Sequence, residues 1–400
     1  MSAMLLLLLE TLLTAVALVL LVPALVLFAQ VFLAAGPRAA EPLAPRRPRV
    51  AVLMPAHDEA AGIAASLGAV KGQLEPGDRL LVVADNCSDD TARVAAAAGA
   101  EVAVRTDAQR RGKGYALAFG VEQLAADPPE VVLILDADCS AQPGAVDRLA
   151  RECLAHQRPV QALYLMQSPP GAGLRTRIAE FAWIVKNLVR PLGWHRAGWP
   201  CQLMGTGMAF PWTLIRGAPL ASGHLVEDLQ LGLDLALAGT PPLFAPEACV
   251  TSVFPAQAAG LAAQRTRWEH GHLGVIATQA PRLLKQAILG GRRALGAMVL
   301  DLCVPPLAAL VLMLFGVLVL GALLVLAGGN AVALVIAAVG AFLLGAAVLA
   351  AWAGHARHVV SLRELLGVPL YVLGKLPIYA RLFGHRQVEW IRTKRDDKPH

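Results

Sequence analysis

The sequence predicts an α/β fold: a mostly parallel sheet with helices on both faces, joined to transmembrane and interfacial helices. Three observations predict it. Between Arg49 and Asp136, short continuous apolar runs alternate with helical stretches. Continuous runs, rather than alternating ones, mark strands buried on both faces of a parallel sheet. Outside that region lie three long apolar runs, each able to span a bilayer, which needs about 20 apolar residues. The composition agrees: of 400 residues, 56% are hydrophobic and only 16% charged, which describes a membrane protein with a soluble part.

The elements follow in order. Met4 to Ala35 is a Leu/Val/Ala run interrupted only by Glu10, Thr11, Thr14, Pro23 and Gln30. It lacks a basic leader and is too long for a signal-peptide core, so residues 1–35 read as an uncleaved anchor. A Pro/Arg linker covers 36–48. Strands are expected at Val50–Met54, Leu80–Ala84, Glu101–Arg105 and Val131–Leu135, with helices at Ala60–Leu74, Asp90–Ala98 and Lys113–Ala126. The soluble domain is placed at 49–272, and interfacial helices at 273–297. Val299–Ala327 and Ala331–Ala353, separated by Gly328-Gly329-Asn330, predict a transmembrane hairpin over 298–353. Residues 354–400 read as interfacial amphipathic helices and a cytoplasmic tail. Within them Ser361–Gly384, with prolines at 369 and 377, reads as broken amphipathic helices in the interface.

Charge placement sets the expected orientation. Arg38, Arg46, Arg47 and Arg49 follow the first span, Arg292 and Arg293 precede the second, and Arg357, Arg363, Lys375 and Arg381 follow the third. By the positive-inside rule the central domain and the C-terminus are cytoplasmic, in a multi-pass protein of the inner (plasma) membrane. The net charge of +6 is then a membrane-surface signal. Basic residues are not interleaved with aromatics over any long stretch, which argues against nucleic acid as a partner. The six cysteines form no CxxC pair and are expected as free thiols.

Ligands of such sheets sit beyond the carboxyl ends of the strands, and this chain places acids there. The first strand is followed by His57-Asp58-Glu59, the second by Asp85-Asn86, the fourth by Asp136-Ala137-Asp138. The first turn has no GxGxxG and the chain no P-loop, which excludes a nicotinamide-binding unit and a P-loop enzyme. Asp136 and Asp138 share one side of the chain, and carboxylates suit a hard cation such as Mg²⁺ or Mn²⁺; a solvated turn is the alternative. Asp85 can accept from a base or ribose, while Ser88 or Asp89 suits a helix cap. Arg111-Gly112-Lys113-Gly114 puts cations before a helix N-terminus, as an anion site or a solvated turn. Glu227 and Asp228 open an apolar helix; Asp228 fits a general base, or both serve as helix-terminus charges. Gly205-Thr206-Gly207 lets backbone approach a ligand, or makes a turn. Gln264-Arg265-Thr266-Arg267-Trp268 sets a ring that can stack on sugar beside two guanidinium forks, although Arg and Trp also anchor helices at a lipid surface.

In this order the motifs resemble family 2 glycosyltransferases of the GT-A fold, over roughly 49–275. The likeness is to their membrane-embedded branch, which contains cellulose, hyaluronan and poly-N-acetylglucosamine synthases, and to ceramide glucosyltransferases. Gln264–Trp268 fits that family's Q(Q/R)xRW signature. The resemblance implies a nucleotide-sugar donor held by His57, Glu59, Asp85, Lys113, Asp136 and Arg267, a metal (Mg²⁺ or Mn²⁺) on Asp138, and Asp228 as base. It implies acceptor contacts from Gly205, Thr206, Glu227, Gln264 and Trp268. The implied reaction is an inverting displacement, with a UDP-sugar as the expected donor. Val226 stands where processive synthases usually have Thr, and three spans with almost no polar residues argue against a self-contained polymer pore. The expected acceptor is therefore lipid-linked, or a growing polysaccharide exported by partner proteins. The alternatives are a processive exopolysaccharide synthase, a ceramide-type lipid glucosyltransferase, an anchored nucleotidyltransferase and a catalytically silent membrane scaffold.

Overall fold

A computed structural model of the chain describes residues 3–36, 43–223, 226–255 and 258–368, with the backbone alone for 258–267 and 270. Helix α1 (Ala3–Leu33) is followed by β1 (Val50–Ala56), α2 (Ile63–Lys71), β2 (Arg79–Asp85), α3 (Thr91–Ala97), β3 (Glu101–Arg105), α4 (Lys113–Leu124) and β4 (Val131–Ile134). Each apolar run expected as a strand is one. The chain then adds β5 (Ser140–Ala141), α5 (Ala145–His156), β6 (Val160–Gln167) and α6 (Leu174–Ile184). A π-helical turn (Val185–Val189) leads directly into α7 (Arg190–Arg196). Next come β7 (Met208–Pro211), α8 (Trp212–Ile215), α9 (Glu227–Leu237), β8 (Leu243–Val253), α10 (Ala258–Leu289), α11 (Arg293–Leu302), α12 (Leu307–Leu326), α13 (Val332–His355) and α14 (Leu362–Leu366).

The strands form one sheet in the order β3-β2-β1-β4-β7-β6-β8-β5. β1 pairs in parallel with β2 and β4, and β2 with β3. β7 runs antiparallel to β4 and β6, β6 is parallel to β8, and β5 is antiparallel to β8. The chain moves outward from β1 to β3 and returns on the other side of β1 as β4. The strand order therefore switches at the carboxyl ends of β1 and β4, where open α/β sheets leave a ligand crevice. Alternate residues of β1 enter two cores. Val50, Val52 and Met54 pack with Leu133 and Leu149 on one face; Ala51 and Leu53 pack with Leu117 and Leu231 on the other. Helix α4 lies close enough that a Cβ on Gly120 would stand 2.3 Å from Leu53 Cδ1.

Three helices are long and apolar enough to cross a membrane: Met4–Leu33, Leu307–Leu326 and Val332–His355. α1 packs on α12 and α13 and, through its C-terminal end, on α7. The α1–α7 approach is backbone against backbone, since a Cβ on Gly193 would stand 2.0 Å from the Gln30 carbonyl oxygen. Two polar interruptions of α1 reach distant partners. Glu10 Oε1 accepts from Asn330 N at 2.7 Å in the α12–α13 turn, and Gln30 Nε2 donates to Asp301 Oδ1 at 2.6 Å.

The apolar run beginning at Val299 is divided. Its first residues finish α11, and Pro305-Pro306 separate that helix from α12, because proline lacks an N–H and bars helical geometry before it. The stretch expected at the interface over 273–297 falls across α10 and α11. Their inner faces build a core with α9 through Val275, Leu283, Leu295 and Met298, while Ile288 and Leu289 stay exposed. Of the amphipathic C-terminal stretch, α14 is capped by a Ser361–Glu364 box, and 369–400 lie outside the described residues.

Candidate functional site

The site starts at the carboxyl end of β4. Ala137 turns inward and is buried, so Asp136 and Asp138 are left partly exposed on the other side. Thr206 fixes this turn: its hydroxyl accepts from Asp136 N at 3.0 Å. Asp136, Asp138 and Cys139 have ligand atoms within 4.8 Å of one another. Burial first, then the neighbouring Asp138 charge, pushes the Cys139 thiol well above its ordinary pKa, so it stays protonated. That leaves carboxylate oxygens as the donor set, which fits a hard divalent cation and not a soft one.

Lys113 opens α4 behind Gly112, whose φ of 128° is a conformation L side chains rarely adopt. Its ammonium pairs with Asp136 Oδ1 and donates to the Gly205 carbonyl oxygen at 2.7 Å. Burial works to lower the pKa of Lys113, but Asp136, Glu227 and Asp228 outweigh it and raise the value, so the cation is permanent at neutral pH. Gly205, at φ 92°, is the hub. A Cβ there would stand 3.3 Å from Asp228 Oδ2 and 3.8 Å from Lys113 Nζ. Glu227 and Asp228 sit in the first turn of α9, where the exposed N–H groups favour negative charge. Burial first and the Asp228 charge second still push Glu227 up, to about 7.

The ends of β1 and β2 are tied to each other. His57 Nδ1 lies 2.7 Å from the Asp85 carbonyl oxygen, and Glu59 N donates to Thr91 Oγ1 at 2.7 Å. Asp58, at φ 51°, accepts from Ser88 N at 2.6 Å and Asp89 N at 3.2 Å. Asp85 Oδ1 accepts from Arg105 Nη1 at 2.6 Å. Arg105 was not singled out in the sequence, although its place at the end of β3 beside Asp85 could have marked it.

A cleft of about 220 Å³ opens over these groups. Lys113, Asp136, Asp138, Gly205, Glu227, Asp228 and Trp268 line it. Thr206 is fully buried behind the Asp136 turn, so it shapes the site without reaching the cleft. Among the expected acceptor contacts whose side chains are described, Thr206 does not line the cleft. His57, Glu59 and Asp85 occupy the neighbouring strand ends. The side chains of Gln264 and Arg267 lie outside the described residues. Trp268 packs at 5.0 Å between ring centroids on Trp183, whose indole donates to the Tyr164 carbonyl oxygen at 3.1 Å. Another part of the wall comes from the α6–π-turn–α7 segment, through Trp183, Lys186, Asn187 and Arg190. In the sequence Lys186 and Arg190 stand four residues apart beside Trp183, a spacing more usual on a solvated helix face.

Comparison with known proteins is consistent with this architecture. A family profile described as "Glycosyltransferase like family 2" matches residues 48–271, more than half of the chain. Uncharacterized glycosyltransferases of Mycobacterium bovis and Mycobacterium tuberculosis are each 41% identical over 106 residues, 25% of this chain. The match spans 46% of those relatives, under half their length. The solved structure of a mannosyltransferase from Pyrobaculum calidifontis, in complex with GDP-Man and Mn²⁺, superposes with a TM-score of 0.53 at 21% identity, over 85% of this chain and 97% of its own. At that identity the likeness establishes a shared fold, a GT-A-like sheet with its helices.

Proposed function

Since the chain belongs to glycosyltransferase family 2, we propose that it is an inverting membrane glycosyltransferase, moving a sugar from a nucleotide-sugar, a UDP-sugar in our reading, to a lipid-linked or growing cell-surface polysaccharide acceptor. The observation that carries this reading is the convergence of Lys113, Asp136, Asp138 and Asp228 on Gly205 and one cleft at the sheet's switch point. In it, Lys113 meets the donor diphosphate, and Asp85, oriented by Arg105, meets the base or ribose. Asp136 and Asp138 would hold Mg²⁺ or Mn²⁺, which supplies charge neutralisation for a departing nucleoside diphosphate. Asp228 takes the proton of the acceptor hydroxyl, whose oxygen bonds to the anomeric carbon as the bond to the diphosphate breaks, inverting that carbon. Trp268, with Trp183 behind it, offers the acceptor a face to stack on.

The three apolar helices and their basic flanks support a multi-pass protein with this domain on the cytoplasmic side. An acceptor arriving along the membrane fits the direct α1–α7 contact, which places the cleft's wall against a candidate span. The test is nucleoside diphosphate release by the full-length protein from a panel of nucleotide sugars with Mn²⁺. Release with at least one donor, lost in Asp138→Asn, is expected. Release of pyrophosphate instead, or of nothing, would sink the reading.

A further inference from the structure

The cleft has a second polar end that the donor chemistry does not use. It is built on the π-helical turn Val185–Val189 and the start of α7, where Lys186, Asn187 and Arg190 line the wall. Single π-turns inside α-helices recur at functional sites because the extra residue widens the turn. Asn187 and Arg190 are 1% and 6% exposed. Yet Arg190 Nε, Asn187 Oδ1 and, on the facing wall, Gln202 Oε1 are buried without a hydrogen-bond partner. Gln30 Oε1, on the adjoining membrane helix, is unpartnered as well. A buried polar atom left unpaired costs about 1–3 kcal/mol, so the three on residues lining this end, Arg190, Asn187 and Gln202, mark a place meant for a polar occupant.

Charge narrows the occupant. Arg190 Nη2 is committed to Asp301, through Oδ1 at 2.8 Å and the backbone oxygen at 2.6 Å. His272, which also lines this end, has its Nε2 at 2.9 Å from the Leu302 carbonyl oxygen and is neutral at pH 7. Lys186 differs. Its ammonium stands 5.3 Å over the Trp183 ring and has no ion pair among the described residues. The surrounding protein lowers its pKa, an effect softened by the water of the open cleft, to which much of the side chain is exposed. A neutral sugar placed here would leave Lys186 only the charges of Asp228 and Asp301, neither of them in an ion pair with it among the described residues, whereas a phosphate would meet it directly. Lys113 already serves the donor end. The inner end also adjoins the membrane: Arg190 and Gln30 share Asp301, and α7 touches α1 at Gly193.

We propose that this end is a phosphate subsite, in which Lys186 and Arg190 hold the phosphate of a membrane amphiphile while a hydroxyl of its headgroup lies at Asp228. Asn187 and Gln202 supply acceptors for the headgroup's remaining hydroxyls. The subsite's role in catalysis rests on the transferase reading above; its affinity for phosphate does not.

The test titrates full-length protein in neutral maltoside micelles with dioleoyl phosphatidylglycerol, dioleoylglycerol or inorganic phosphate, following tryptophan fluorescence, since Trp183, Trp194 and Trp268 line the cleft. A charge-assisted contact predicts about tenfold or more preference for the phospholipid over dioleoylglycerol. Lys186→Gln is expected to abolish that preference and Lys186→Arg to keep it. Equal affinity for the two lipids, or undiminished preference in Lys186→Gln, overturns the proposal. Inorganic phosphate binding as tightly as the phospholipid overturns the membrane source. Should Lys186→Gln fail to fold, the wild-type contrast between the two lipids decides alone. Nucleoside diphosphate release is read on the same preparation. Phospholipid preference without release removes the acceptor role and the transferase reading; release without preference removes the subsite only.

Discussion

Replacing Gly205 by alanine probes the site at its hub. The residue sits at φ 92°, where an L side chain is strained, and its new methyl carbon would stand 3.3 Å from Asp228 Oδ2. A forced left-handed conformation costs about 1–3 kcal/mol. For a domain of this size that lowers the midpoint of thermal unfolding by about 2–4 °C per kcal/mol. A second effect falls on turnover. The contact is tighter than ordinary van der Waals packing, so Asp228 must give by a few tenths of an ångström; since a displacement of about 1 Å in a reacting group can cost about a hundredfold in rate, this smaller one is expected to cost about tenfold or less. The assay is nucleoside diphosphate release against donor and against acceptor concentration, with circular dichroism to confirm folding. The expected result is a fall in kcat of about threefold to tenfold with a smaller change in donor KM. A folded Gly205→Ala protein with unchanged kcat would refute the placement of Asp228 beside the reacting atoms.

Two further outcomes follow from the same geometry. Thr206→Val keeps the shape but removes the partner of Asp136 N, at about 1–3 kcal/mol, and is expected to weaken Mn²⁺ binding by about tenfold or more, measured by isothermal titration. Burial, then the Asp228 charge, raises the pKa of Glu227 to about 7, so above that pH its carboxylate adds negative charge beside Asp228 and strengthens that base. Activity should therefore rise with pH through about 7, and the acid limb of the residual kcat should move to lower pH in Glu227→Gln, read from a pH–rate profile.

The strands β1 to β4 were legible because uninterrupted Val/Leu/Ala runs have few other uses in a soluble segment, and the acids that follow them mark the ligand end of a parallel sheet. The long spans were legible for the same reason of apolar length. What the sequence did not reveal depends on contacts between distant segments. Gln30 and Asp301 look like blemishes in apolar runs until the fold joins them to Arg190. Thr206 read as a ligand contact because a GTG turn invites one; only the packing shows that it faces Asp136 from behind. The wall formed by Trp183, Lys186 and Arg190 was missed because a tryptophan with cations at helical spacing is usually a solvated helix face, and no local signal announces the π-turn that sets them on the cleft. Pro305-Pro306, by contrast, could have been read as the break that ends α11 before the span begins.

The claim on which the rest depends is that Asp228 activates an acceptor hydroxyl for sugar transfer. Mass spectrometry of lipids and polysaccharide from cells expressing either the native protein or Asp228→Asn at equal levels tests it directly. A lipid or polysaccharide species carrying an additional sugar, present with the native protein and absent with Asp228→Asn, is the expected result; identical profiles would contradict it.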